Sequence, residues 1–203
     1  MKGTAYRVTA MTIAIGVLVT ARSVIAAPSD AATITLWVLN QAKVPDAVLL
    51  RAQAQTTRIY SSAGITVRWR DRLEMSTQPH FIVNITTNPL NGRGDISSSG
   101  VMGMAPGLKE AHGMHAWAFY ATIQAFAALH GLDAGSLLGH VIAHEIGHLL
   151  LRNNSHSQTG LMRAGWDKLQ VTRLAACVLT FTPKESALIR SRLVSSNLPA
   201  AAQ

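Results

Sequence analysis

The feature that most constrains this chain is the stretch Ser136–Leu151, SLLGHVIAHEIGHLLL. It is a helix of almost unbroken apolar character interrupted by His140, His144, Glu145 and His148. So apolar a helix must lie in the core, and the rest of the chain must be arranged around it. An unpaired carboxylate is costly to bury, so Glu145 needs a reason to be there. His144 and His148 stand at i and i+4 and share one helix face, with Glu145 beside them. Two imidazoles at this spacing can reach one metal ion, and a catalytic zinc takes three protein ligands plus a water. Glu145 is then placed to take that water's proton rather than to bind the metal.

The remaining sequence narrows the surroundings. With 48% hydrophobic and 14% charged residues among 203, the chain can bury a core. The single cysteine, Cys177, excludes an internal disulfide framework and multi-cysteine metal sites. It sits in an apolar run and reads as a buried free thiol. Residues 1–26 read as a secretory signal: Lys2 and Arg7, the apolar run Val8–Thr20, and small residues near Ala26. An uncleaved anchor is the alternative. Without Lys2, Arg7 and Arg22 the net charge of +8 becomes +5. The bases are scattered, which gives no nucleic-acid footprint. The mature part, 27–203, reads as one domain with its core at about 33–193.

Alternation predicts strands at Thr33–Asn40, Ile65–Arg70 and Phe81–Thr87. Val48, Ala52 and Ile59, with Gln55 among them, set a helical stripe between Pro45 and Ser62, and Gly64 stops it. Residues 88–114 hold six glycines, two prolines and three serines, and predict a long loop with a short strand at Val101–Ala105. Ala116–Thr122 predicts a strand and Ile123–His130 a helix ended by Gly131. A last helix opens at Thr182-Pro183, with Thr182 as cap and Glu185 in the first turn, and runs to Leu193. His112 and His115 read as solvated loop residues, and His140 as packed beside the site.

The third ligand has three candidates downstream: His156, Asp167 and Glu185. Asn153 and Asn154 suit a chain reversal that would swing His156 onto the metal.

These residues resemble the metzincin clan of zinc metallopeptidases, whose motif is H-E-x-x-H-x-x-G-x-x-H followed by a Met-containing turn. His144, Glu145 and His148 match its first half, His156-Ser157 stands near the third histidine, and Gly160-Leu161-Met162 resembles the Met-turn, nearest to the matrix-metallopeptidase branch. The chain departs from the motif twice. Leu151 occupies the glycine position, and Asn154 the strict third-histidine position, which puts His156 two residues late. An acidic third ligand would instead make the site gluzincin- or aspzincin-like.

The resemblance implies an α+β fold: a small twisted mixed sheet packed on a long helix, the motif helix, the Met-turn with Met162 as a packing floor, and a C-terminal helix. It further implies a Zn2+-dependent endopeptidase in which Glu145 is general base and His144, His148 and His156 hold the metal; the signal would make it secreted, and the single-domain size fits a monomer. A peptide substrate would pair with a strand edge, here Ala116–Tyr120, and the segment around Arg163 and Trp166 would line a pocket. A non-catalytic zinc-binding module, or a metal-free envelope protein in which the motif is coincidence, are the competing expectations.

Overall fold

The computed structural model describes residues 32–71, 80–88, 100–106, 114–152 and 156–197. The segment 1–26 expected to be a signal, His112, Asn153 and Asn154 lie outside them. Among the described residues, five strands and five helices build an α+β fold. Strands β1 (Thr33–Asn40), β2 (Thr66–Arg70), β3 (His80–Thr86), β4 (Gly103–Met104) and β5 (His115–Phe119) form one mixed sheet in the order β2-β1-β3-β5-β4. The first four in that order are parallel, and β4 is antiparallel to β5. Parallel neighbours need a crossover, which α1 (Asp46–Ser62) supplies between β1 and β2.

The apolar helix that carries the histidines is α3 (Ala134–Leu151), and it is buried from Leu137 to Leu151. Asp133 caps it, accepting from the Ser136 N–H at 2.7 Å. It lies against α1, and Gly139 permits the closeness: a β-carbon there would be 2.5 Å from the Ala52 carbonyl oxygen. Apolar side chains of the sheet, α1, α2 (Tyr120–His130) and α3 share one core with Leu161, Met162 and Phe181. No described helix is long and apolar enough to cross a membrane.

Several expectations are corrected. Residues 120–122 open α2 rather than ending β5, and Gly131 ends that helix with φ +63° as expected. A helix that the sequence reading missed, α4 (Lys168–Ala175), follows Asp167. The last helix, α5 (Pro183–Asn197), continues beyond Leu193. β5 is not an edge: β3 covers one side and β4 covers Trp117–Ala118 on the other. Among the described residues, the open edge on this side of the sheet belongs to β4. His115 is a strand residue, stacked on Trp117 and 3.3 Å from the Asn84 amide nitrogen. Cys177 is free but half-buried, in a left-handed turn (φ +55°) with its sulfur 3.2 Å from Ser136 Oγ.

His140 ties α1 to α3. Its Nδ1 lies 2.8 Å from the Ser136 carbonyl and its Nε2 3.0 Å from Gln55 Nε2. Only a neutral ring, with the proton on Nδ1, satisfies both: it donates to the carbonyl and accepts from the amide. Burial lowers its pKa from 6.5 to about 4. An unfolded chain binds the proton near pH 6.5 and the native one does not, so stability is full above that pH and declines as pH falls toward 4. The shift corresponds to about 3 kcal/mol at most. In chelator-treated protein, denaturant unfolding at pH 7, 5.5 and 4.5 should show a shallower acid decline for His140→Leu than for wild type; equal slopes would contradict this account.

Candidate metal centre

α3 carries His144 and His148 one turn apart, with Nε2 atoms 3.1 Å from each other. His144 Nδ1 lies 2.8 Å from the Leu161 carbonyl oxygen. A carbonyl only accepts, so Nδ1 holds the proton and Nε2 presents a lone pair toward His148. Burial lowers His144 to about 4, helped by the neighbouring histidines and opposed by the Leu161 carbonyl, so the ring is neutral at pH 7.

The chain reverses after α3 at Arg152, whose φ of +48° is left-handed. His156 returns to the other two rings, with ring centroids 5.4 Å from His144 and 4.9 Å from His148. One ring nitrogen from each of the three lies within 4.8 Å of the others. Two nitrogens bound tetrahedrally to one zinc at about 2.05 Å would be about 3.3 Å apart, close to the observed His144–His148 spacing. The neutral lone pair on His144 and the converging rings make a donor set that fits a metal ion.

The turn after His156 is fixed from three sides. Ser157 N–H donates to the Met162 carbonyl at 2.8 Å, Leu161 N–H donates to Thr180 at 2.8 Å, and Gly160 takes φ +77°. Met162 is fully buried beneath α3 at Gly147, where a β-carbon would be 2.6 Å from its sulfur. It is therefore a packing floor, and Gly147 is the space it fills; the sequence reading gave no role to that glycine.

Both acidic alternatives for the third ligand are engaged elsewhere. Asp167 caps α4, accepting from Leu169 N–H at 2.9 Å, and pairs with Arg163 at 2.5 Å. Glu185 accepts from the Ser157 hydroxyl and, at 2.7 Å, from Thr182 N–H. Glu185 N–H lies 3.3 Å from Thr182 Oγ1, completing a reciprocal capping box at the start of α5. The Thr-x-x-Glu spacing was legible, but the tether to Ser157 was not, because 28 residues separate the partners. His140, bound to Gln55, stands outside the three-histidine group.

Glu145 is buried, and among the described residues it has no hydrogen-bond or ion-pair partner. Desolvation pushes its carboxyl up to about 8. A cation held by the adjacent imidazoles would favour its ionised form. Glu145 and the three histidines face a cleft of about 480 Å³. The segment 100–105, containing β4, and residues 163–166 also line it. Trp166 is half-buried there, its ring edge-on to His144 at 6.3 Å.

No protein-family model matches this chain, and no curated protein matches it.

Glu185→Ala removes a helix cap and the anchor of the His156 turn together. Stability should fall by about 1–2 kcal/mol, and metal affinity should fall with it. Glu185→Gln, which keeps an acceptor, should lose less of both. Calorimetry and metal titration of the two variants check this.

Proposed function

We propose that the protein is a secreted, zinc-dependent endopeptidase of metzincin type. The observation that carries the reading is Glu145: a buried carboxylate without a described partner, next to three converging imidazoles, on the wall of an open cleft. A purely structural metal site has no use for such a group.

His144, His148 and His156 would hold the ion, with His144 oriented by the Leu161 carbonyl. Bound zinc supplies Lewis acidity, lowering the pKa of water and polarising a peptide carbonyl. Glu145 accepts the proton of the attacking water and delivers it to the amide nitrogen as the C–N bond breaks, leaving a carboxylic acid and an amine. A carboxylate whose environment opposes ionisation is a stronger base than one in water, which suits the first transfer.

The substrate joins the sheet at β4. Phe119 N–H donates to the Met102 carbonyl at 2.8 Å, so residues 102 and 104 bond inward. The alternation of an antiparallel ladder then turns the N–H and C=O of Gly103 outward, toward the cleft side. An extended peptide can pair with those groups whatever its side chains, and one of its side chains enters the cleft between Val141 and Trp166. Arg163 beside that cleft is neutralised by Asp167, which favours an apolar side chain over an acidic one.

Purified residues 27–203 should hold about one zinc per chain. His156→Ala should lower zinc affinity by orders of magnitude. Glu145→Gln should keep the zinc and lower kcat/KM on a peptide library by about 100-fold or more. A zinc-replete wild type that cleaves no peptide would point to a non-catalytic zinc module. A folded wild type without zinc affinity would remove both readings.

A further inference from the structure

Gly103 lies in the two-residue strand β4 and meets Glu145 across the cleft wall. A β-carbon on Gly103 would sit 2.6 Å from Oε1, 2.7 Å from Cγ and 2.9 Å from Cδ of Glu145. Carbon contacts are optimal at about 3.5–4.0 Å, so no other residue fits here without movement. Backbone conformation is not the reason for glycine. The glycines with positive φ are Gly64, Gly100, Gly131 and Gly160, and Gly103 is not among them. A glycine inside a strand without conformational need marks a close approach.

The strand cannot yield easily, so the Glu145 side chain is the part that must shift. β4 is pinned to β5 directly before Gly103, by the Phe119–Met102 bond, and directly after it, by the pairing of Met104 with Trp117. Glu145 springs from the middle of α3, which is buried from Leu137 to Leu151, so a β-carbon on Gly103 would displace the carboxylate rather than the helix.

We propose that Gly103 is a positioning residue for Glu145: the missing side chain is the seat that holds the carboxylate against β4 and beside the histidine cluster. The same residue turns its N–H and C=O toward an incoming peptide. One short piece of backbone then sets both the general base and the strand register of the substrate, so the scissile bond and Glu145 share a single reference point. This inference rests on the metallopeptidase reading above.

The test is Gly103→Ala in the zinc-loaded full chain, alone and combined with Glu145→Asp. A displaced base is a misplacement of about 1 Å, which costs about 100-fold in rate. The expected result is zinc content equal to wild type, kcat reduced by about that factor, and KM changed by less than about threefold. In the Glu145→Asp background the carboxylate is one methylene shorter and leaves room for the methyl group, so the same substitution should cost less than about threefold further. A crystal structure of Gly103→Ala should show the Glu145 carboxylate moved from β4 with the three histidines in place. Activity of Gly103→Ala within about threefold of wild type would overturn the proposal. So would an equal loss in both backgrounds, or a Glu145 carboxylate left where it is. Absence of peptide cleavage by zinc-loaded wild type would instead sink the metallopeptidase reading; the crystal structure would still decide the seat.

Discussion

The structure depends on one constraint: α3 is buried along nearly its whole length and yet carries three histidines and a glutamate. Each polar group must be answered from elsewhere in the chain. His140 is answered by Gln55 of α1 and by the Ser136 carbonyl. His144 is answered by the Leu161 carbonyl, from the turn that also puts Met162 under the helix. These bonds tie α3 to α1 on one side and to the chain beyond His156 on the other. Of these groups Glu145 alone has no partner among the described residues, and it faces the cleft together with His144 and His148.

Glycine governs how closely the surrounding elements approach this helix. Gly139 admits the backbone of α1, Gly147 admits the Met162 sulfur, and Gly103 of β4 admits the Glu145 side chain. In each case the observed contact is shorter than a β-carbon would allow. The precision of the site therefore comes from packing against backbone, which moves less than side chains do.

The third imidazole shows how distant parts of the chain combine. His156 reaches the other two because Arg152 reverses the chain and because Ser157, Leu161 and Glu185 fix the following turn. His156 stands two residues beyond the strict motif position, and its ring centroid still lies 5.4 Å from that of His144 and 4.9 Å from that of His148. Glu185, an acidic residue that sequence alone left open as a ligand, instead holds that turn to the start of α5.

Sequence by itself determined the local parts. The i, i+4 histidines with their glutamate, the alternating strands at Thr33 and Thr66, the stop at Gly131 and the cap at Thr182 all follow from periodicity and short-range bonding over a few residues. It missed α4, whose eight residues bury only Gln170 and Leu174 and whose one signal is the capping aspartate Asp167. It also placed the substrate edge on β5, because nothing local says that two residues of a glycine-rich stretch will pair outside it. Tertiary structure decided which carboxylates were engaged elsewhere, where His156 landed, and that Gly103 lies against Glu145, 42 residues away in the chain. Those are contacts between segments, and their geometry depends on how α3, the sheet edge and the Met162 turn pack against one another rather than on any pattern within one of them.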